Sequence, residues 1–394
     1  MVVLGFAAVP ALVGWVYLAV GHGWFWRTGP GLPAGADPPV WPEVAAVVPA
    51  RDEAALLPET LPSLLGQDYP GRFRVIVVDD GSEDGTAAVA ERLGRGAVTE
   101  LCVVRAGERP GGWAGKVWAM AEGVRAAGEP EFVLFTDADI RHAPGTLTRL
   151  VRVAHGTGGG AGYDLVSQLA TLRTSTAWER SIVPAFVYFF ALLYPFRRVG
   201  RPGARTAAAA GGCMLVRAGT LTAAGGLAAI GGALIDDVAL GRLIKGHGGR
   251  CRLDLSRDVV SRRPYPRLAD LWAMIARSAY TQLRYSPPLL AGTVLGLTLL
   301  FAVPPVAAAA GIVGLAVGHP APGAAGPVAA IGLATWAIMA VTYAPTLRFY
   351  RLSVLRAPAL PLVALMYAAM TLDSARRHHA GRGGTWKGRT LAAR

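Results

Sequence analysis

The chain has 394 residues, a formal net charge of +13, 53% apolar side chains and only 16% charged ones. That length suits one large domain or two ordinary ones, and the apolar excess rules out a wholly soluble protein. The basic balance admits a nucleic-acid partner, but no basic stripe interleaved with aromatics occurs. The arginines gather instead beside apolar stretches, where anionic lipid headgroups attract them.

Residues 1–20 carry no charged side chain, and a membrane helix needs roughly 20 such residues. A basic leading region and a small-residue cleavage site are both missing, so residues 1–22 read as an uncleaved N-terminal transmembrane anchor. A domain follows over 40–285. Short, nearly continuous apolar runs at 44–49, 73–79, 100–105 and 132–137 read as parallel strands covered on both faces. Helical stretches near 52–65, 84–94, 116–127 and 144–154 alternate with them, and Gly, Pro, Ser and Asp mark the junctions. This is the pattern of a doubly wound α/β sheet, whose ligands bind beyond the carboxyl ends of the strands. Residues 156–162 and 198–205 read as flexible loops.

Three acidic pairs stand where apolar runs end: Asp79-Asp80, Asp137-Ala138-Asp139 and Asp236-Asp237, the last after Gly232-Ala233-Leu234-Ile235, read as a strand. Carboxylates are costly to bury unpaired, so such pairs call for cationic or hydrogen-bonding company. A divalent metal carrying a nucleotide diphosphate supplies both. Asp79-Asp80-Gly81-Ser82-Glu83-Asp84-Gly85-Thr86, with Pro49-Ala50-Arg51-Asp52-Glu53 ending the neighbouring run, offers carboxylates to a base N–H and ribose hydroxyls. A solvated turn capping the next helix is the plainer alternative. Asp137 and Asp139 alternate about a strand end, where both can reach one metal–diphosphate; a surface turn is the alternative.

Gly111-Gly112-Trp113-Ala114-Gly115-Lys116 opens a helix whose N-terminus favours anions, although the Walker A spacing fails; structural packing of Trp113 competes with that role. Asp236 and Asp237 begin an amphipathic helical stretch running to Lys245. They either complement the helix dipole or supply a general base for an acceptor hydroxyl. Adjacent helical positions point apart, so one of the two is expected to face the cleft.

Residues 182–196 are uncharged and aromatic but short for a span. They read as a helix lying in the bilayer interface, over 181–197, or as a core helix. Gln282-Leu283-Arg284-Tyr285 precedes the C-terminal apolar zone, and Arg284 is expected at lipid phosphates or at the diphosphate. Within 286–374, spans are read inside 287–317 and near 327–347. The link 318–326 has no Lys or Arg, whereas Arg348, Arg351 and Arg356 follow the second span, which puts the central domain in the cytoplasm. Residues 357–372 hold Pro358 and Pro361 and precede a basic tail, 375–394; an interfacial or re-entrant segment is preferred there to a third span. Cys102, Cys213 and Cys251 are odd in number and lack C-x-x-C spacing, as reduced thiols do. His142, His155, His247, His378 and His379 show no metal-ligand spacing.

In this order, Pro49-Ala50-Arg51-Asp52-Glu53, Val78 to Thr86, Gly112 to Lys116, Thr136 to Asp139, Gly211-Gly212-Cys213-Met214-Leu215-Val216-Arg217, Ile235 to Lys245 and Gly384-Thr385-Trp386-Lys387-Gly388-Arg389 resemble the motifs of family 2 glycosyltransferases. More narrowly, the chain resembles the membrane-bound hopene-associated glycosyltransferases, over nearly its whole length. The resemblance implies a GT-A fold, a Rossmann-like, doubly wound mixed sheet between an N-terminal anchor and C-terminal transmembrane helices. It further implies a nucleotide-sugar donor (UDP-linked), Mg²⁺ or Mn²⁺, inversion at the anomeric carbon, and a hopanoid-like lipid acceptor in the inner membrane, with no nucleic acid. It assigns Asp79 and Asp80 to the nucleoside, Asp137 and Asp139 to the metal–diphosphate, and Asp237, beside Asp236, to the base. Pro49, Arg51, Glu53, Lys116 and Arg284 complete the expected donor site.

The chain departs from the family in carrying Asp236 where Glu is usual, Asp52 in the P-x-x-N-E opening, and Gln282-Leu283-Arg284-Tyr285 in place of Q-x-x-R-W, which argues against processive synthesis. Two other readings stay open. A nucleotidyltransferase would release pyrophosphate. A non-catalytic lipid-binding or transport protein would leave the acidic motifs unexplained, and no span carries the ionisable residues of a translocation path.

Overall fold

The computed structural model describes residues 2–29, 31–156, 162–317 and 322–381. Parts of the expected loop at 156–162 and of the link 318–326 lie outside them, as does most of the basic tail with Gly384 to Arg389. The described residues form two units, one made of Gly29–Arg173 and Phe196–Pro264, the other of 2–28, Thr174–Pro195 and 265–381.

The first unit is built on an eight-stranded sheet. Its strands are Val44–Ala50 (β1), Phe73–Asp79 (β2), Glu100–Arg105 (β3), Phe132–Phe135 (β4), Ile140–His142 (β5), Leu165–Thr171 (β6), Met214–Arg217 (β7) and Cys251–Ser261 (β8), in the order β3-β2-β1-β4-β7-β6-β8-β5. The first four pair in parallel, as their apolar runs foretell. Beyond β4 the sheet is mixed: β7 is antiparallel to β4 and β6, β8 is parallel to β6, and β5 is antiparallel to β8.

Every residue of β1 is buried, because helices cover both faces. Leu57–Leu65, Thr86–Gly94, Gly115–Ala127 and Thr146–His155 fall within a few residues of the expected helices. Gly123 lets one of them lie directly on β1, since a Cβ there would sit 2.3 Å from Val47 Cγ1. One expected strand is absent. Gly232 to Ile235 form a turn between the 3-10 helix Leu227–Ile230 and the helix Asp236–Gly246. Their backbone is satisfied locally: Ala233 N–H donates to Ile230 O at 2.8 Å and Ile235 O accepts from Ala239 N–H at 3.1 Å, so no neighbouring strand is required.

The second unit is helical. Among the described residues, five stretches are long and apolar enough to cross a membrane: Val3–Gly21, Ala177–Val199 (whose last residues belong to the first unit), Pro287–Ala316, Ala324–Phe349 and Val354–His379. Pro287–Ala316 and Ala324–Phe349 correspond to the two expected C-terminal spans. Small residues bring their backbones together: a Cβ on Gly311 would meet Ala329 N at 2.5 Å, and one on Gly332 would meet Ala308 N at 2.4 Å. Trp15 in the first stretch donates from Nε1 to Leu300 O at 2.6 Å. The helix Ala177–Leu193 opens on a reciprocal Thr176–Glu179 capping box, and its Tyr188 hydroxyl meets Thr342 Oγ1 at 2.8 Å. Val3, Phe6 and Leu295 remain largely exposed, as lipid-facing side chains do in the absence of lipid.

Candidate active site

Ala50 on β1 is in register with Asp79 on β2, so the loops Pro49 to Glu53 and Asp79 to Thr86 leave the sheet side by side. They are laced together. Asp80 N–H donates to Ala50 O at 2.9 Å; Asp52 N–H donates to Ser82 Oγ and Glu83 N–H to Asp52 Oδ1, both at 3.0 Å. Glu53 N–H donates to Thr86 Oγ1 at 2.8 Å and Ala54 N–H to Asp84 Oδ2 at 2.9 Å. Asp52 takes a φ of 50° to do this, a left-handed conformation that Asp tolerates better than most residues. Arg51 Nη1 donates to Asp80 O at 2.6 Å and lies 3.9 Å from Asp80 Oδ2. Burial nudges the Asp84 carboxyl up, but hydrogen bonds from Thr86 and the Ala54 N–H win and hold it below its ordinary value. The pair Asp79 and Asp80 is buried at the strand end, next to the arginine and glutamate expected with them.

The strand expected to reach Asp137 ends at Phe135, and the next four residues turn. Every carbonyl of Asp137-Ala138-Asp139 is held: Asp137 O by Ile140 N–H at 3.1 Å, Ala138 O by Thr60 Oγ1 at 2.7 Å, and Asp139 O by Arg262 N–H at 2.8 Å. Below the turn, Thr136 Oγ1 donates to Gly212 O at 2.8 Å and meets His142 Nε2 at 2.9 Å. The threonine proton is spent on the carbonyl, so the histidine Nε2–H is the donor of the second bond. Burial pulls the His142 pKa down to about 4, which keeps the ring neutral.

Lys116, from the first turn of the helix Gly115–Ala127, joins this turn to the third acidic pair. Its Nζ lies 2.7 Å from Asp137 Oδ1 and 2.9 Å from Asp236 Oδ2. Burial alone would strip its proton, but Asp137, Asp236 and Asp237 together hold its pKa above the ordinary range. Asp237 Oδ2 accepts from Gly211 N–H at 2.9 Å. Asp236 thus meets the ammonium directly, while the other Asp237 oxygen, Oδ1, accepts from Val238 N–H at 2.7 Å, so the two adjacent carboxylates take different partners. Burial, then the adjacent Asp236, pushes Asp237 up to about 7 against the pull of Lys116. Burial likewise raises Asp137 to about 6, opposed by Lys116 and assisted by Asp139 and Asp236.

The convergence is densest at Gly211. A Cβ there would lie 3.0 Å from Lys116 Nζ, 3.5 Å from Asp137 Oδ2 and 3.6 Å from Asp237 Oδ2. Trp113, whose role was open, packs structurally: a Cβ on Gly231 would sit 2.9 Å from its ring, and Ala114 N–H donates to Gly231 O at 2.7 Å. That contact fastens the lysine loop to the turn ahead of Asp236.

Two contributors escape sequence reasoning. Ser261 Oγ donates to Asp139 Oδ2 at 2.5 Å, and Arg263 lies 3.7 Å from the same oxygen and 2.5 Å from Glu53 Oε1. The only signal for them was Arg262-Arg263-Pro264 closing a strand whose place in the sheet cannot be read locally. Arg284 belongs to the helical unit, just after Ala279–Gln282, with φ 53°.

Asp137 and Asp139 place oxygen donors on both sides of one pinned turn; among the described residues no group of three or more His, Cys, Asp or Glu could hold a metal ion, so a hard divalent ion there would need further ligands. Asp137 and Asp139 would hold it, and phosphate and water would complete its shell. Open α/β sheets bind their ligands in the crevice beyond the carboxyl ends of the strands, where these carboxylates and the lysine stand.

Comparison with known proteins agrees. Residues 42–270 match the model of the family described as glycosyltransferase like family 2, which is more than half of the chain. The chain belongs to the family 2 glycosyltransferases, and its fold is GT-A. Over 139 residues it is 30% identical to an undecaprenyl-phosphate 4-deoxy-4-formamido-L-arabinose transferase of Pseudomonas syringae, covering 35% of this chain and 38% of that one. Over 123 residues it is 36% identical to a beta-monoglucosyldiacylglycerol synthase of Synechocystis, covering 31% and 25%. The match thus spans well under half of either relative. A mannosyltransferase of Pyrobaculum calidifontis, solved with GDP-Man and Mn²⁺, superposes with a TM-score of 0.54 at 24% identity, covering 93% of this chain and 99% of that one.

Proposed function

We propose that the protein moves one sugar from a nucleotide-sugar donor, UDP-linked, to the hydroxyl of a membrane lipid of hopanoid type, with inversion, at the cytoplasmic face of the inner membrane. The observation that carries this reading is the meeting of Lys116, Asp137 and Asp237 around Gly211. It brings an anion-binding cation, a metal-binding carboxylate and a candidate base to one point. The names of an undecaprenyl-phosphate transferase and a diacylglycerol-glucoside synthase among the relatives support a lipid acceptor, and the five apolar stretches support the membrane.

In this reading Asp79, Asp80, Arg51 and Glu53, with Pro49 shaping the strand end, receive the nucleoside. A bound Mg²⁺ or Mn²⁺ on Asp137 and Asp139 would neutralise charge on the departing diphosphate. Lys116 adds a fixed positive charge beside the same phosphates. Asp237 takes the acceptor hydroxyl's proton as oxygen bonds to the anomeric carbon and the bond to the diphosphate breaks. An aspartate near its ordinary pKa of about 3.9 is a weak base, whereas one held near 7 is matched to the task. One displacement needs no second carboxylate nucleophile. Arg284 is assigned to the diphosphate or to lipid phosphates.

The test offers radiolabelled nucleotide sugars to membranes with and without the protein, followed by mass analysis of labelled lipid. Labelled protein or polymer overturns the acceptor assignment. Release of pyrophosphate in place of the nucleoside diphosphate overturns sugar transfer itself.

A further inference from the structure

Both carboxylates of the Asp137-Ala138-Asp139 turn already have a cation beside them. Lys116 serves Asp137. Arg263 spans two sites, with Nη2 2.5 Å from Glu53 Oε1 and Nε 3.7 Å from Asp139 Oδ2. Its reach is set by the end of β8: Ser261 is bonded to Asp139 Oδ2 at 2.5 Å, and the Arg262 N–H holds Asp139 O at 2.8 Å. The Arg263 side chain is 29% exposed, so it is not sealed in the core.

A divalent ion approaching Asp139 by itself meets two positive groups and must displace a guanidinium. An ion arriving with a diphosphate brings oxygens that the guanidinium fork is shaped to bind. We propose that Arg263 is a partner-switching residue of the donor site. In the donor-free enzyme it neutralises Asp139 and Glu53, and it passes to the donor's diphosphate when the metal takes Asp139. The inference rests on the donor reading above. It makes metal and nucleoside diphosphate binding strongly and reciprocally coupled, and holds off the free ion.

The test titrates the detergent-solubilised full-length protein with Mn²⁺ alone, with Mn²⁺ plus UDP and with Mn²⁺ plus GDP, following free Mn²⁺ by its electron paramagnetic resonance. In the wild type, the nucleotide tightens Mn²⁺ binding by about tenfold or more. Arg263→Gln binds Mn²⁺ alone about tenfold more tightly than wild type, because a like charge a few ångströms away has gone, and loses most of the nucleotide-induced gain. Arg263→Lys keeps the charge without the fork, so it still repels free Mn²⁺ but takes the Mn²⁺–nucleotide more weakly than wild type. Arg149→Gln, which removes an arginine paired with Asp258, behaves as wild type.

Coupling that survives Arg263→Gln, or an equal gain in free Mn²⁺ affinity from Arg149→Gln, overturns this inference and leaves the donor reading standing. A wild type that takes neither nucleotide with Mn²⁺ overturns the donor reading, and this inference with it.

Discussion

Replacing Lys116 with methionine removes the cation that lies 2.7 Å from Asp137 and 2.9 Å from Asp236. At an effective dielectric near 20, each contact of that length represents about 6 kcal/mol of gross attraction, most of which desolvation of the ammonium cancels. The loss in the variant is of another kind, since it strands carboxylates in the cleft without a counter-charge. Breaking a buried pair in this way costs about 3–5 kcal/mol. Asp137 keeps 33% of its side-chain surface exposed, so water relieves part of this and about 3 kcal/mol is expected at pH 8. For a unit of this size that lowers Tm by about 6–12 °C, readable from the tryptophan fluorescence of solubilised protein. The sign of the pH dependence follows from the acids. Asp137 and Asp237 titrate near 6 and 7, above their ordinary value. The folded state therefore binds their protons more tightly than the unfolded chain, and their contribution to stability falls as pH rises from about 4 to 7. Without Lys116 that window extends upward, so the penalty of Lys116→Met is full at pH 8 and shrinks toward pH 5. An unchanged Tm at pH 8, or a penalty that grows on acidification, refutes the reasoning.

Asp237→Asn is expected to lower kcat by about a hundredfold or more, the scale of a lost general base, while donor affinity by equilibrium titration stays unchanged; near-normal turnover would remove Asp237 from the base position. With the native aspartate, kcat/KM should fall as pH drops below about 7, and the asparagine variant should lose that limb of the profile. Gly211→Ala places a Cβ 3.0 Å from Lys116 Nζ and is expected to weaken Mn²⁺–nucleotide binding by about tenfold, or 1.4 kcal/mol, with little change in Tm; unchanged binding would show that the placing of Lys116 beside Gly211 is not used. Thr136→Val strands the Gly212 carbonyl and the His142 ring, at about 1–3 kcal/mol, and Thr136→Ser should restore the melting point. His142 is pulled down to about 4, so its contribution is complete above pH 6.5 and is lost as pH falls toward 4. A Thr136→Val protein that melts like wild type would place the support of the turn elsewhere.

Much of the candidate site was legible along the chain. β1, β2 and β4 are covered on both faces, so their apolar runs stand out, and strands that pair in parallel bring Pro49 to Glu53, Asp79-Asp80 and Asp137-Ala138-Asp139 to the same sheet edge. Gly232 to Ile235 were misread because four apolar residues without period suit a turn as well as a strand. Asp236 and Asp237 could be read as a helix start but not assigned partners, because the lysine that meets Asp236 arrives from another helix.

Residue order and type alone determined that this chain carries apolar stretches of membrane length and an α/β domain with acidic pairs following two of its strands, since burial and hydrogen-bonding periodicity are local properties. Only the tertiary structure decided which charges meet. β8 lies beyond β7 and β6 from β4, yet the residues that close it deliver Ser261 and Arg263 to Asp139, while Gly211 becomes the point where Lys116, Asp137 and Asp237 converge. Coulombic pairing depends on distance through space, and sheet order, set by pairings between residues far apart in the chain, fixes that distance.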